Sequence, residues 1–414
     1  MKKIFKYALM AIAAICVSGS MVSCDDDDDN GSANEVDKTQ QAIISNYVNE
    51  IVIPTYRSLA DHAIALAEDC EDLSTQAKVD KACADWVEAR KYWERSEAFL
   101  FGAAADYNID PHIDSWPLDL TQLAEVLAAG NIESRIDAGT AGYGLLGFHA
   151  VEYVLFLEGS KGDASKRNQP VENITEAMAS FAEAVASDMR DQCVLLEAAW
   201  AGTDRITAAK RAILDDAELA PSFNYGELLT NAGLSGNTKY KTQAAAFEEI
   251  IIGASDIANE VGNTKISDPM DSHQWSDVES PHSWNSVTDF VDNIVSVRNA
   301  YLGTLDGSRS KVSVSAHVAS KNNGIDANVQ AKISAAIAAL EALPRPFRNY
   351  IYVDTDAASK AKIQAAVDAC NDLVDALDAA QEAVNDLSYL ILTYYEKIYP
   401  GLGRRTLRRV IHGM

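Results

Sequence analysis

The sequence predicts an all-α protein assembled from helical bundles, and three observations carry that expectation. Apolar residues Ile363, Val367, Cys370, Val374, Leu377, Val384, Leu387 and Ile391 recur every three or four positions, the repeat of one helical face. No proline or glycine falls between Ala361 and Tyr399, so this stretch reads as a helix roughly 50 to 60 Å long, which only neighbouring helices can cover. The same period returns in six other segments, separated by stretches rich in Gly, Pro, Ser and Asn that read as loops.

The first segment is an export signal rather than structure. Lys2, Lys3 and Lys6 precede an apolar run from Tyr7 to Val17, too short for the about 20 residues a bilayer span needs. Met21-Val22-Ser23-Cys24 resembles a bacterial lipobox, which predicts a signal peptide over 1–23 and a lipid-modified Cys24. Asp25 to Asp29 repel one another and cannot pack, so 24–37 is expected to be a solvated, lipidated acidic tether. The expected location is the bacterial outer membrane, periplasmic or cell-surface. Of the remaining cysteines, Cys70 and Cys83 flank a helix break, and the alternatives there are a disulfide or buried free thiols.

The periodic segments predict helices over 41–68, 76–101, 172–200, 240–261, 287–302, 329–343 and 361–399. Pro54 is expected to kink the first. Ser286 can cap the helix that begins at Val287, and Gly303 is placed to end it. Val312, Val314, Ala316 and Val318 alternate as a strand would, but an isolated strand is rarely stable. Acidic residues outnumber basic ones by 61 to 35, giving a net charge of -26. Such a surface repels phosphate backbones, which argues against nucleic acid as a partner and leaves cations as candidates. Arg404, Arg405, Arg408 and Arg409 form a basic cluster that answers either a helix dipole or an anionic partner.

Two loops share Pro, His, Ser and Trp: Pro111 to Pro117 (PHIDSWP) and Glu279 to Asn285 (ESPHSWN). They are either related, turning aromatic loops from two helical halves toward a shared crevice, or alike by coincidence of loop composition. The segment Gly144 to Tyr153 (GLLGFHAVEY) places His149 and Glu152 three residues apart, on one helical face among apolar neighbours. An imidazole and a carboxylate in such surroundings must be paired with each other, metal-bound or set at a crevice. Inward-facing Glu and His at this spacing bind metals in helix bundles, although two ligands do not complete a site.

Gly147-x-His149-x-x-Glu152 is similar to the GxHxxE motif of the imelysin family of bacterial envelope proteins. Four further stretches resemble that family in order: Trp93 to Gly102 (WERSEAFLFG), Ile113 to Pro117, Ile257 to Gly262 (IANEVG) and Glu279 to Ser286. The resemblance spans nearly all of the chain after the tether. It implies two helical bundles, 38–215 and 216–414, with the motif in a cleft between them and a role in iron acquisition. The ligand-binding residues so implied are His149, Glu152, Ser96, Glu97, Asp114, Ser115, Trp116, Glu279, Ser280, His282 and Trp284, with His149 and Glu152 as the metal pair. The expected partner is iron or an iron-bearing small ligand, and an outer-membrane transporter is a further candidate partner.

A peptidase assignment accompanies the family name. Zinc hydrolysis needs several ligands, an open coordination position and a base; HExxH and GxSxG are absent from this sequence. Three readings stand: a protein that binds iron or an iron-bearing ligand, a metallopeptidase, and a non-catalytic scaffold that docks a transporter.

Overall fold

Asp37 opens the described chain by capping its first helix, its carboxylate accepting from the Thr39 and Gln40 N–H groups. The computed structural model describes residues 37–156 and 167–385, and these described residues belong to one compact unit. The signal segment 1–23, Cys24, nearly all of the acidic tether and the four C-terminal arginines lie outside the described residues. So does the part of the predicted 361–399 helix beyond 385.

Helices α1 (Lys38–Asn46) and α2 (Ile53–Cys70) join through a π-helical turn, Tyr47–Val52. The disturbance expected at Pro54 takes this form. Proline has no N–H to return to the preceding turn, and the Ile53 N–H reaches back five residues to the Val48 carbonyl instead. α3 (Gln76–Glu94) is capped by Thr75 and ends seven residues before the expected limit, passing into a tight turn at Glu97–Phe99. Short helices follow: α4 (Ala103–Asp106), α5 (Ile109–Ile113), α6 (Leu120–Ala129) and α7 (Ile132–Asp137). Then come α8 (Gly147–Phe156), which bears the GxHxxE motif, and α9 (Glu176–Ala201). α10 (Ala208–Asp216) and α11 (Tyr225–Thr230) lead to α12 (Gln243–Glu260), which runs through a second π-helical turn, Val261–Ile266, into α13 (Ser267–Ser272). The chain finishes with α14 (Ser286–Leu302), α15 (Val314–Lys321), α16 (Asn323–Glu341) and α17 (Ala357–Val384).

The fold is all-α, with no strand among the described residues. α2 packs on α3 and α9, and α8 lies against α9 and α3; α12 packs on α14 and α17, and α16 on α17 and α14. α3 and α14 touch, as do α12 and the Glu97–Phe99 turn, so one apolar core runs from Ile43 to Val384.

Two open readings are decided and one expectation, the Ser286 cap, is corrected. The alternating valines belong to α15: Ser313 caps it, and Val314 and Val318 are buried one turn apart, so an (i, i+4) contact overrides the two-residue alternation. Ser286 does not cap α14 but donates to the Glu279 carbonyl at 2.5 Å, while Gly303 ends the helix in the left-handed conformation as expected. Cys70 and Cys83 are separate buried thiols, not a disulfide, and burial pushes the Cys83 thiol up to about 12.

Candidate functional site

α3 supplies one wall of the site. Trp86, Arg90, Trp93 and Glu94 recur at helical spacing on its buried face. The Trp86 indole N–H donates to the Phe148 carbonyl at 3.0 Å and so fixes the start of α8. The Trp93 indole N–H donates to Asp114 Oδ2 at 2.6 Å, and the Arg90 guanidinium bonds Asp114 Oδ1. Arg90 also reaches Glu279 Oε1 at 2.7 Å and Glu94 Oε1 at 2.5 Å, with Asp289 3.9 Å away. One fully buried guanidinium thereby ties α3 to both loops that resemble each other in sequence, and those loops do converge here.

The motif glycine has a steric role. Gly147 has φ +74°, and a Cβ there would overlap the backbone carbonyl of Ile113. Only glycine allows α8 to begin directly against the chain that carries Asp114. His149 Nε2 then lies 3.2 Å from Asp114 Oδ1, while His149 Nδ1 lies 3.2 Å from Glu152 Oε2.

Glu152 has no exposed surface and both of its oxygens are engaged. Oε1 accepts from the backbone N–H of His282 at 3.0 Å and from both the N–H and hydroxyl of Ser283 at 2.7 and 2.8 Å. The loop turns these donors toward it by holding Ser280 at φ +49° and Trp284 at φ +59°, left-handed conformations that side chains rarely adopt. Burial resists the Glu152 charge, but His149 and the Ser283 N–H override it and bring the carboxyl down to about 2. Held this way, Glu152 fixes the orientation of the imidazole, with Nδ1–H directed at the carboxylate and Nε2 directed at Asp114. His149 Nε2 has no hydrogen-bond partner.

Glu279 Oε2 is likewise buried without a hydrogen-bond partner. The ligand atoms of Asp114, His149 and Glu279 all lie within 4.8 Å of one another. Burial pushes Glu279 up to about 8 against the pull of Lys265, while Arg90 overcomes burial at Asp114 and holds that carboxyl below the usual range. His149 is raised to about 9: burial disfavours its charge, and the two carboxylates beside it, Asp114 and Glu152, outweigh it. Six buried carboxylates (Glu94, Glu97, Asp114, Glu152, Glu279 and Asp289) thus face three basic groups, Arg90, Lys265 and His149. The excess acid must hold protons or a cation.

Above about pH 4 the lowered groups, Asp114 and Glu152, contribute a constant amount, and the raised groups set the trend. Glu279 at about 8 and Asp289 at about 7 keep their protons longer in the folded chain than in the unfolded one, so stability falls as pH rises from about 4 to 8. The raised His149 contributes fully below its unfolded value near 6.5 and loses that contribution through about 9. In metal-free buffer the Tm is therefore expected to be lower at pH 9 than at pH 6, by roughly 5 °C or more. A flat or rising profile in differential scanning calorimetry contradicts these assignments.

A small, partly open pocket lies beside the motif. Trp116, Leu118, Leu120, Trp275, Val278 and Pro281 form its apolar walls, and His149, Glu152, Ser276 and His282 are its polar contributors. His282 meets Trp275 and Tyr153 edge-on, and the Arg348 guanidinium lies 4.8 Å from the Trp275 ring centre.

The residues implied by resemblance divide accordingly. His149, Glu152, Asp114, Trp116, Glu279 and His282 come together. Ser96 is a helix-end hydroxyl that donates to the Trp93 carbonyl, and Ser115 donates to the Pro111 carbonyl, each closing its own turn. Trp284 does not line the pocket, and Trp275 stands there instead. Glu97 faces Lys265 at 3.6 Å, whereas its neighbour Arg95 pairs with Asp292. Ser280 is buried beside Asp289, and His112 pairs with Asp188 at 2.7 Å, outside the cluster. Arg90 and Lys265 were missed. Arg90 carried a signal, a charge at helical spacing between buried tryptophans; Lys265 sits on a π turn, where no regular period marks an inward position.

The chain belongs to the imelysin family: the family profile described as Imelysin matches residues 52–377. Among similar proteins, iron-regulated protein A of Synechococcus elongatus is 27% identical over 343 residues, covering 81% of this chain and 86% of that protein. The crystal structure of an iron-regulated protein A precursor from Parabacteroides distasonis is 27% identical, with a TM-score of 0.72 over 86% of this chain and 97% of the other. An imelysin-like protein from Psychrobacter arcticum, 11% identical, shares the fold with a TM-score of 0.59 over 84% of this chain and 95% of its own.

Proposed function

We propose that this chain is a lipid-anchored envelope protein that binds iron, bare or carried by a small organic chelator, as a step in iron acquisition. One observation carries the reading: Asp114, His149 and Glu279 converge within 4.8 Å, with His149 Nε2 and Glu279 Oε2 buried and lacking hydrogen-bond partners. An imidazole nitrogen with two carboxylates is a donor set suited to iron and related divalent ions. Glu152 acts as the orienting carboxylate behind His149 rather than as a ligand, because its oxygens already accept four hydrogen bonds. Arg90 offsets the charge of two of the proposed ligands and holds them in place.

The apolar pocket supports a cargo with an organic face. A hydrated ion loses water at such walls without gaining donors, whereas a chelator rests a ring against Trp116 or Trp275. The names of the two iron-regulated relatives support an iron role. The export signal and Cys24 support an envelope location. The engagement of Glu152 weighs against hydrolysis, since it leaves no free general base on the motif.

The test is a titration of the soluble domain with ferrous ion under anaerobic conditions and with ferric citrate. Wild type is expected to bind one iron per chain. His149→Ala is expected to weaken binding at least about 100-fold, and Glu152→Gln roughly 10- to 100-fold. Equal binding by all three proteins, or saturable peptide cleavage abolished by Glu152→Gln, contradicts the reading.

A further inference from the structure

A second group of three buried carboxylates adjoins the first. The ligand oxygens of Glu94, Glu97 and Asp114 also lie within 4.8 Å of one another, so Asp114 belongs to both groups. A carboxylate shared by two such sets is the arrangement that bridges paired metal ions in helical bundles. Here a side chain of the protein already stands beside two members of that second group, Glu94 and Glu97. Lys265 is 1% exposed, and its ammonium lies 3.0 Å from Glu279 Oε1 and 3.6 Å from both Glu94 Oε2 and Glu97 Oε1. It also lies 5.7 Å from the centre of the Trp116 ring.

Lysine is almost never buried this fully unless it is paired. Its side chain is delivered by the π turn Val261–Ile266, between α12 and α13. The extra residue in such a turn shifts the register of the side chains that follow, and π turns occur often at functional sites. The ammonium is a compact point charge with three donors, so it can serve several carboxylates without the fixed fork of a guanidinium.

We infer that Lys265 is the specificity-determining residue of this site: its ammonium, in contact with Glu94 and Glu97 of the second group and with Glu279 of the first, fills the cation position beside the proposed site, and so limits the chain to one bound metal. The inference rests on the proposed cation site at Asp114, His149 and Glu279, and it adds what decides the number of metals. Being univalent and covalently tethered, the ammonium holds that position permanently. Glu94 is drawn away from the cargo by Lys265, Arg90 and Asn293 together.

The experiment titrates manganese(II) into wild type, Lys265→Met and Lys265→Gln, with binding followed by the loss of the free-ion electron paramagnetic resonance signal. Wild type is expected to take up one ion per chain and each variant two, with magnetic coupling between the pair across Asp114. Both variants are expected to melt at lower temperature than wild type in EDTA, and manganese is expected to restore them, because the ion replaces the lost charge. One ion in wild type and one in the variants overturns this inference and leaves the proposed site intact. No binding by wild type overturns both. Variants that manganese fails to return to cooperative unfolding also overturn it, since a cation is then no substitute for the ammonium.

Discussion

Gly147→Ala is expected to destabilise the protein by at least about 4 kcal/mol and to leave little of it folded at 37 °C. The new methyl group meets the Ile113 carbonyl, and the residue must also adopt φ +74°. The backbone angle alone costs about 1–3 kcal/mol. Relief by movement of the Ile113 segment is blocked, because the next residue, Asp114, is pinned by the Trp93 indole and the Arg90 guanidinium. Urea unfolding is the measurement. A variant within about 1 kcal/mol of wild type contradicts the packing described for the start of α8.

Arg90→Leu is expected to cost about 3–5 kcal/mol, the usual effect of removing one partner from a buried ion pair. The leucine fits the apolar face of α3 but leaves Asp114, Glu94 and Glu279 without the guanidinium that links them. Acid distinguishes this cause from a packing defect. Protonated carboxyls need no counter-ion, so the deficit is expected to shrink by at least half between pH 8 and pH 5. A deficit independent of pH contradicts the electrostatic explanation. Arg90→Lys is expected to recover only part of the loss, since one ammonium cannot reach Asp114 and Glu279 with the geometry of the planar fork.

The long helices were legible because each buries one stripe of its surface, and the period of that stripe survives in the sequence. Gly303 and Pro54 marked their positions for local reasons, a left-handed helix end and a missing N–H. The short helices between Ala103 and Asp137 were not legible. They are only a few turns long or less and lie against α9 through few residues, too few to show a period. α15 was not among the predicted helices, because two buried valines four residues apart also fit a two-residue alternation.

The site was legible where its chemistry is local and obscure where it is spatial. His149 and Glu152 share a helix face, so their pairing follows from spacing. That Glu152 orients the ring, with its remaining lone pairs taken by the Ser280–Trp284 loop, depends on two left-handed residues that carry no sequence signal. Trp275, which lies outside that loop, lines the pocket where Trp284 was expected, and no spacing in the sequence marks it. Arg90 and Lys265 lie 175 positions apart yet meet the same carboxylate of Glu279.

The central claim is the location of the cation, and anomalous diffraction from crystals soaked in iron or manganese tests it most directly. One peak in contact with His149 Nε2, Asp114 and Glu279, absent from His149→Ala crystals, is the expected result. A peak bonded to Glu152 instead, or density confined to surface carboxylates while the buried cluster stays unchanged, contradicts it.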